Sequence, residues 1–239
     1  MYRMAPSNQE LQDMIIADVA LSVAFSILLS AGNTAKLSFC GLSSGVFGAF
    51  CSNPFLFYLP ISFVAVSFSF ILHEYMHKRV AQHYGAIAAF KRSDMGIVIA
   101  LVTSFLGFLM ALPGATMIYT DRFTKRQDGI TSVAGPLTNF AVFIVFYIGM
   151  FVFQQGYMNL LMGTTAFIAL WLAFVNMLPI PPLDGSKVLR WNKPAYFIII
   201  ITVFALLILL EGLAILPSIA IVFVLSVIMS LFSSRILFF

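Results

Sequence analysis

Long apolar runs separated by short polar segments dominate the chain. A helix needs about 20 mainly apolar residues to cross the hydrocarbon core of a bilayer. The pattern predicts six membrane-spanning helices, at about 14–32, 54–77, 133–153, 160–177, 195–210 and 218–233. Between the second and third lie another apolar run, 96–112, which is broken by Pro113 and Gly114, and a short β-like piece, Thr116–Thr120.

The positions of lysine and arginine indicate that the run 96–112 does not cross the membrane. These residues are enriched in cytosolic loops. If the N-terminus is cytosolic and 96–112 does not cross, Lys36 lies outside. The following then all lie inside: Arg3, Lys78, Arg79, Lys91, Arg92, Arg122, Lys125, Arg126, Lys187, Arg190, Lys193 and Arg235. A full crossing would translocate the basic clusters at 122–126 and 187–193, and the uncharged loop 154–159 would be cytosolic.

We therefore expect an all-α polytopic membrane protein in the cell membrane, with a cytosolic N-terminus. It has six transmembrane helices plus a membrane-embedded re-entrant or β segment between the second and third. Gly107 and the Pro113-Gly114 pair permit the turn of that segment, and non-helical backbone is tolerated at membrane depth where protein covers it. A plain seventh helix at 96–112 stays open as an alternative.

Composition supports a lipid bilayer as the environment and excludes an ordinary soluble domain. Hydrophobic residues make up 61% of the chain and charged residues only 9%. We expect a single domain, 1–239, with its core at about 55–190. The net charge of +4 does not indicate nucleic-acid binding, because the basic residues lie between the apolar runs. Cys40 and Cys51 form no CxxC pair and have no histidine nearby, so two free thiols are expected, with a disulfide open if their loop faces an oxidising side.

The second apolar run ends in His73-Glu74-x-x-His77, the HExxH pattern of zinc metalloproteases. Residues four apart share one face of a helix, so both imidazoles can bind one metal ion. Glu74 lies one step round the helix, where a carboxylate can deprotonate an attacking water molecule. A pair of helix-end histidines facing lipid headgroups is the alternative, although ionisable residues within membranes are costly and usually functional.

Asp184 is the candidate for a third ligand. A catalytic zinc ion needs three protein ligands and an open position. Prolines 179, 181 and 182 stop the fourth predicted span before Asp184, and Gly185 allows a tight turn. The topology argued from charge places the ends of spans two and four on the same side of the membrane. An Asp-Gly turn at a helix end, without metal, is the alternative for this residue.

These residues together resemble the site-2 protease family of intramembrane zinc metalloproteases. The resemblance rests on His73–His77, on Ala134-Gly-Pro-Leu-Thr-Asn139, and on Asn176-x-x-Pro-x-Pro-Pro-Leu-Asp184-Gly185. It implies one Zn²⁺ bound by His73, His77 and Asp184, with Glu74 as catalytic base. Asn176 is then a candidate for stabilising the oxyanion, although a helix-end Asn that caps backbone explains it equally well. The resemblance also implies a substrate-binding β segment, which matches Gly114, Ala115, Thr116 and Met117.

Two functions of different classes follow. The first is an intramembrane zinc endopeptidase that hydrolyses peptide bonds of transmembrane protein substrates near the cytosolic face. The second is a catalytically inactive metal-binding membrane protein or a metal-ion transporter, because histidine and aspartate in membrane helices also mark ion pathways. Asp18 and Glu211 lie near opposite ends of their spans and form no continuous relay, which favours the endopeptidase.

Overall fold

The computed structural model describes residues 7–32, 53–110, 112–120 and 122–236. Cys40 and Cys51 lie outside the described residues. The described part of the chain forms, in order, α1 (Asn8–Gly32), α2 (Pro54–His83), β1 (Ile87–Arg92), α3 (Asp94–Phe105), β2 (Gly114–Tyr119), α4 (Lys125–Val152), α5 (Gly156–Asn176), α6 (Asp184–Trp191), α7 (Lys193–Glu211) and α8 (Leu216–Ile236).

Helices long and apolar enough to cross a membrane confirm a multi-pass, largely helical membrane protein. Among the described residues there are five such stretches: Asn8–Ala31, Pro54–His83, Lys125–Val152, Gly156–Asn176 and Lys193–Ile228. The last stretch combines α7 with part of α8 across a 3₁₀ turn, Gly212–Ile215. The sequence predicts two spans there, so the count of six stays a prediction.

Helix α5 lies at the centre of the core. Every residue from Ile168 to Val175 is buried, and α5 packs against α2, α4 and α7. Helix α1 lies antiparallel beside α2, as two polar contacts show. The Ser67 hydroxyl donates to Asp18 Oδ2 at 2.9 Å, and the Ser26 hydroxyl donates to the Phe55 carbonyl at 2.7 Å. Helix α2, which carries the two histidines, is therefore packed between α1 and α5.

The segment between α2 and α4 is a hairpin closed by a two-stranded antiparallel sheet. Strand β1 pairs with β2, with Arg92 opposite Gly114. The chain therefore leaves the sheet at 93 and returns beside the same point at 113. Helix α3 between them has 12 residues, a length of about 18 Å, against about 30 Å for a hydrocarbon core. Its chain reverses just after Phe105, where Gly107 has φ +86°.

Several boundaries differ from the sequence prediction. Strand β1 lies between two of the apolar runs, in a stretch for which the sequence pattern predicts no strand. Helix α4 begins at Lys125 instead of 133, because the side chains of Thr124 and Gln127 cap its N-terminus reciprocally. Helix α1 begins at Asn8 instead of 14. Asp18 is therefore well inside its helix, with 3% of its surface exposed, and does not lie near the end of its span.

A buried ion pair, the Glu10–Lys78 pair, ties the start of α1 to the end of α2. Lys78 Nζ lies 2.7 Å from both carboxylate oxygens of Glu10. The backbone N–H of Phe90 in β1 donates to Glu10 Oε1 at 3.1 Å. One carboxylate thus joins α1, α2 and the sheet one residue beyond the HExxH motif.

Candidate metal centre

The two histidines of the motif meet at one point on α2. His73 and His77 are 3% and 7% exposed, and their Nε2 atoms lie 2.9 Å apart. The α-helix is interrupted just before them by a π-helical segment, Ser67–Ile71. Such single π turns occur frequently at functional sites, since they change which residues face a neighbour.

Asp184 completes a group of three potential ligands, as the sequence predicts. Its Oδ2 lies 3.0 Å from His77 Nε2 and 3.3 Å from His73 Nε2. After α5 ends at Asn176, residues 177–183 fold back, and Asp184 is the first residue of α6. The chain around Asp184 is thus a helix start, and the tight turn expected of Gly185 is absent. A Cβ at Gly185 would collide with the backbone carbonyl of Met177, so this glycine permits a close approach of two backbone segments.

Helix α4 supports both histidines from behind. His77 Nδ1 donates to the backbone carbonyl of Thr131 at 2.7 Å. That bond places the proton on Nδ1, so the lone pair on Nε2, the atom next to Asp184, is free to bind a metal ion. One turn along α4, a Cβ at Gly135 would collide with His77 Nε2 and lie 2.6 Å from His73 Nε2. A further turn along, Asn139 reaches His73. Residues 131, 135 and 139 form one stripe at helical spacing.

Glu74 stands apart from the three potential ligands. Its carboxylate Oε2 accepts a hydrogen bond of 2.7 Å from the hydroxyl of Thr116 in β2. The same hydroxyl lies 3.2 Å from the Glu74 backbone carbonyl. Glu74 is 8% exposed. Strand β2 therefore fixes the position of the Glu74 carboxylate, which is not one of the three potential metal ligands.

One cavity of about 470 Å³ contains the residues predicted from the sequence. Asn176 faces it from the end of α5. Its side-chain amide donates to the Leu172 carbonyl at 3.0 Å, a backbone contact of the kind given above as the alternative to an oxyanion role. Together with Asn176, the cavity is lined by His73, Glu74, His77, Gly114, Ala115, Thr116, Met117 and Asp184.

Sequence reasoning missed the supporting contacts around these residues. Thr131 contacts His77 through its backbone carbonyl. Thr116 contacts Glu74, from which it is 42 residues away along the chain. Neither has a local sequence signal. For Gly135 and Asn139 the sequence gives only a shared face of a predicted helix within the motif 134–139, and that face does not show which residues it contacts.

The donor set fits zinc. Ligands about 2.0–2.1 Å from a tetrahedral zinc ion lie about 3.3 Å from one another, and the three donor atoms here are 2.9–3.3 Å apart. Asp184 lies outside the five described stretches that are long and apolar enough to cross a membrane. Burial alone would raise the pKa of its carboxyl group. The adjacent His77 and His73 side chains instead hold that pKa well below its ordinary value, so the carboxylate is ionised.

Known proteins with similar sequences are named as zinc metalloproteases. "Putative zinc metalloprotease MJ0611" of Methanocaldococcus jannaschii is 44% identical over 134 residues, which are 55% of this chain and 70% of that protein. "Putative zinc metalloprotease YwhC" of Bacillus subtilis is 29% identical over 165 residues, 57% of this chain and 72% of the relative. "Zinc metalloprotease MJ0392" of M. jannaschii is 28% identical over 133 residues, 54% of this chain and 33% of the relative.

No family model matches the sequence, and no solved structure matches it. The relatives nevertheless decide the family, because the match to the first combines high identity with most of that protein's length. Their names imply zinc, and His73, His77 and Asp184 form a group that could hold such an ion. The chain belongs to the same family of zinc metalloproteases as these relatives, which is consistent with its resemblance to the site-2 proteases.

Proposed function

We propose that this protein is an intramembrane zinc endopeptidase that cleaves membrane-spanning protein substrates near the cytosolic face. The observation that carries the proposal is the position of the three potential ligands at the end of two apolar helices. The contact of His77 on α2 with Asp184, just after α5, brings the ends of both candidate spans to one point. Glu74 and the β2 strand face the same cavity.

The proposed chemistry divides the work among few residues. His73, His77 and Asp184 would hold the zinc ion, which would supply a Lewis acid able to polarise the scissile carbonyl and to lower the pKa of a water molecule. Glu74 takes a proton from the attacking water and delivers it to the leaving amine. Thr116 orients the Glu74 carboxylate through its hydroxyl. Asn176 faces the same cavity and is a candidate donor to the developing oxyanion.

The substrate is proposed to bind as an extended strand beside β2. Within the described residues β2 pairs with β1 along one edge, so its other edge can accept a further strand. Thr116 belongs to β2 and touches Glu74. A peptide paired with Gly114–Met117 would therefore lie beside the catalytic base. A transmembrane helix must unwind locally to bind in this way, which favours cleavage near the end of the substrate's span.

The proposed orientation places the N-terminus and the metal centre towards the cytosol. Lys78, Arg79, Lys187 and Arg190 follow the two histidines and Asp184 within a few residues, and basic residues favour the cytosolic side. The segment 93–113 is proposed to enter the membrane from this side and return. Its ends are paired in the sheet, and α3 is too short to cross.

Paired substitutions test the proposal. Glu74→Gln is expected to retain about one zinc ion per chain and to lose cleavage of a membrane-spanning substrate in proteoliposomes. Asp184→Ala is expected to lose zinc and activity together. Wild-type activity in the Glu74→Gln protein would refute the role of Glu74 as base. Zinc flux across the proteoliposome membrane that survives Glu74→Gln, without cleavage, would establish the transporter function instead.

A further inference from the structure

The contact between Asn139 and His73 is the least expected feature of the metal centre. Asn139 is completely buried on α4. Its Nδ2 lies 3.2 Å from Nδ1 of His73, the ring nitrogen that points away from Asp184. Its other polar atom, Oδ1, is buried and has no hydrogen-bond partner among the described residues. A buried acceptor without a partner is costly, so this amide requires an explanation.

The chemistry of the two ring nitrogens supplies one. A histidine that binds zinc through Nε2 carries its proton on Nδ1, and that N–H needs an acceptor. For His77 the acceptor is the Thr131 carbonyl at 2.7 Å. His73 has only Asn139 at the corresponding place among its described contacts. The amide nitrogen at Nδ1 suits the opposite tautomer, with the proton on Nε2.

A half-turn of the amide exchanges Oδ1 and Nδ2 without changing the shape of the side chain. It would bring the unpartnered Oδ1 to His73 Nδ1. An asparagine can thus donate to His73 in one tautomer and accept from it in the other. Neither leucine nor aspartate, which have similar size, can do both. The spacing of Thr131, Gly135 and Asn139 gives each histidine one partner on α4, with space for the rings between them.

We infer that Asn139 is a positioning residue for the zinc ligand His73, and that its amide oxygen accepts the Nδ1–H of His73 when Nε2 binds the metal. The inference rests on the proposed zinc centre and adds a residue to it. Loss of such a partner typically weakens metal binding about 10–100-fold. The acceptor, and not the volume of the side chain, is the property that matters.

Zinc affinity of the purified full chain in detergent tests this, measured by competition with a chromophoric chelator. Asn139→Leu is expected to bind zinc about 10–100-fold more weakly than wild type. Asn139→Asp keeps an acceptor and is expected to bind at least as tightly as wild type. Thr138→Val is the matched control on α4, because within the described part of the chain the Thr138 hydroxyl donates to the Ala134 carbonyl of its own helix and to no other group. The zinc affinity of this variant should equal that of wild type.

Wild-type affinity in Asn139→Leu, or equal weakening in the Leu and Asp variants, would overturn the inference. Thermal unfolding of each zinc-free variant shows whether weakening merely reports misfolding. The ¹⁵N chemical shifts of the imidazole nitrogens give a second measurement, since proton placement on His73 Nδ1 in the zinc-loaded protein is expected. Failure of wild type to bind zinc would count against the proposed function, whereas a wild-type site indifferent to residue 139 would count against Asn139 alone.

Discussion

The Glu10–Lys78 pair gives a stability prediction that is independent of zinc. Both residues are almost fully buried, Glu10 at 5% and Lys78 at 8% exposure, and Lys78 Nζ contacts both Glu10 oxygens at 2.7 Å. Removing one member of a buried pair leaves an uncompensated charge and costs about 3–5 kcal/mol. Among the described residues, Lys78→Met would leave the Glu10 carboxylate with the Phe90 N–H as its remaining partner, so we expect a loss of unfolding free energy in this range.

The reverse change should cost less. In Glu10→Gln the amide oxygen can still accept from the Phe90 N–H, and the long Lys78 side chain, near a helix end, can extend its ammonium group towards water. The double variant Glu10→Gln with Lys78→Met leaves no buried charge. Its loss of unfolding free energy should therefore be smaller than that of Lys78→Met alone, and clearly smaller than the sum of the two single losses.

Equilibrium unfolding in mixed micelles, with rising dodecyl sulfate and helicity followed by circular dichroism, measures these differences. Asp13→Asn is the control: Asp13 lies on the same end of α1 but contacts the partly exposed Arg92 at 3.6 Å. Such a pair is worth about 0–1 kcal/mol, and Arg92 keeps Asp94 as a partner at 2.9 Å. The reasoning fails if Lys78→Met costs less than about 1 kcal/mol or if the single losses simply add.

Two further predictions concern the metal centre. Gly135→Ala should keep the helical fold and lose zinc, measured by metal analysis, since the new methyl group would collide with the His77 ring. Gly149→Ala on the same helix is the control and should retain zinc, because the nearest atoms to its new methyl group belong to the flexible Met162 side chain. Equal zinc content in both variants would contradict this. Thr116→Val should retain zinc but lower the cleavage rate by about tenfold or more, because a hydrogen bond to a charged group contributes about 1.5–3 kcal/mol, and an unchanged rate would show that Thr116 does not orient Glu74.

The sequence predicts the parts of this protein whose signals are local. The apolar runs predict most of the helices that are long enough to span a membrane, and the spacing of His73 and His77 places both rings on one face. Helix starts at Asn8 and Lys125 were missed, because polar first turns carry no hydropathy signal. Strand β1 was missed because six residues with two adjacent charges, Lys91 and Arg92, gave no clear alternation.

Contacts between distant segments explain most of the remainder. Asp184 could be chosen in advance because the family resemblance and the charge distribution placed it near the histidines. The resemblance includes Thr116 and Asn139 but does not indicate what they contact: each acts on a residue of α2 from an element that begins at least 31 residues further along the chain. The packing of α4 against α2 orients the two histidines of the site. At Gly135, the middle position of the stripe 131–135–139, that packing leaves no room for a side chain, because a Cβ there would collide with the rings of both histidines. The pattern of a ligand helix can therefore be recognised from sequence, while the helix that orients those ligands is identified only once the two are packed together.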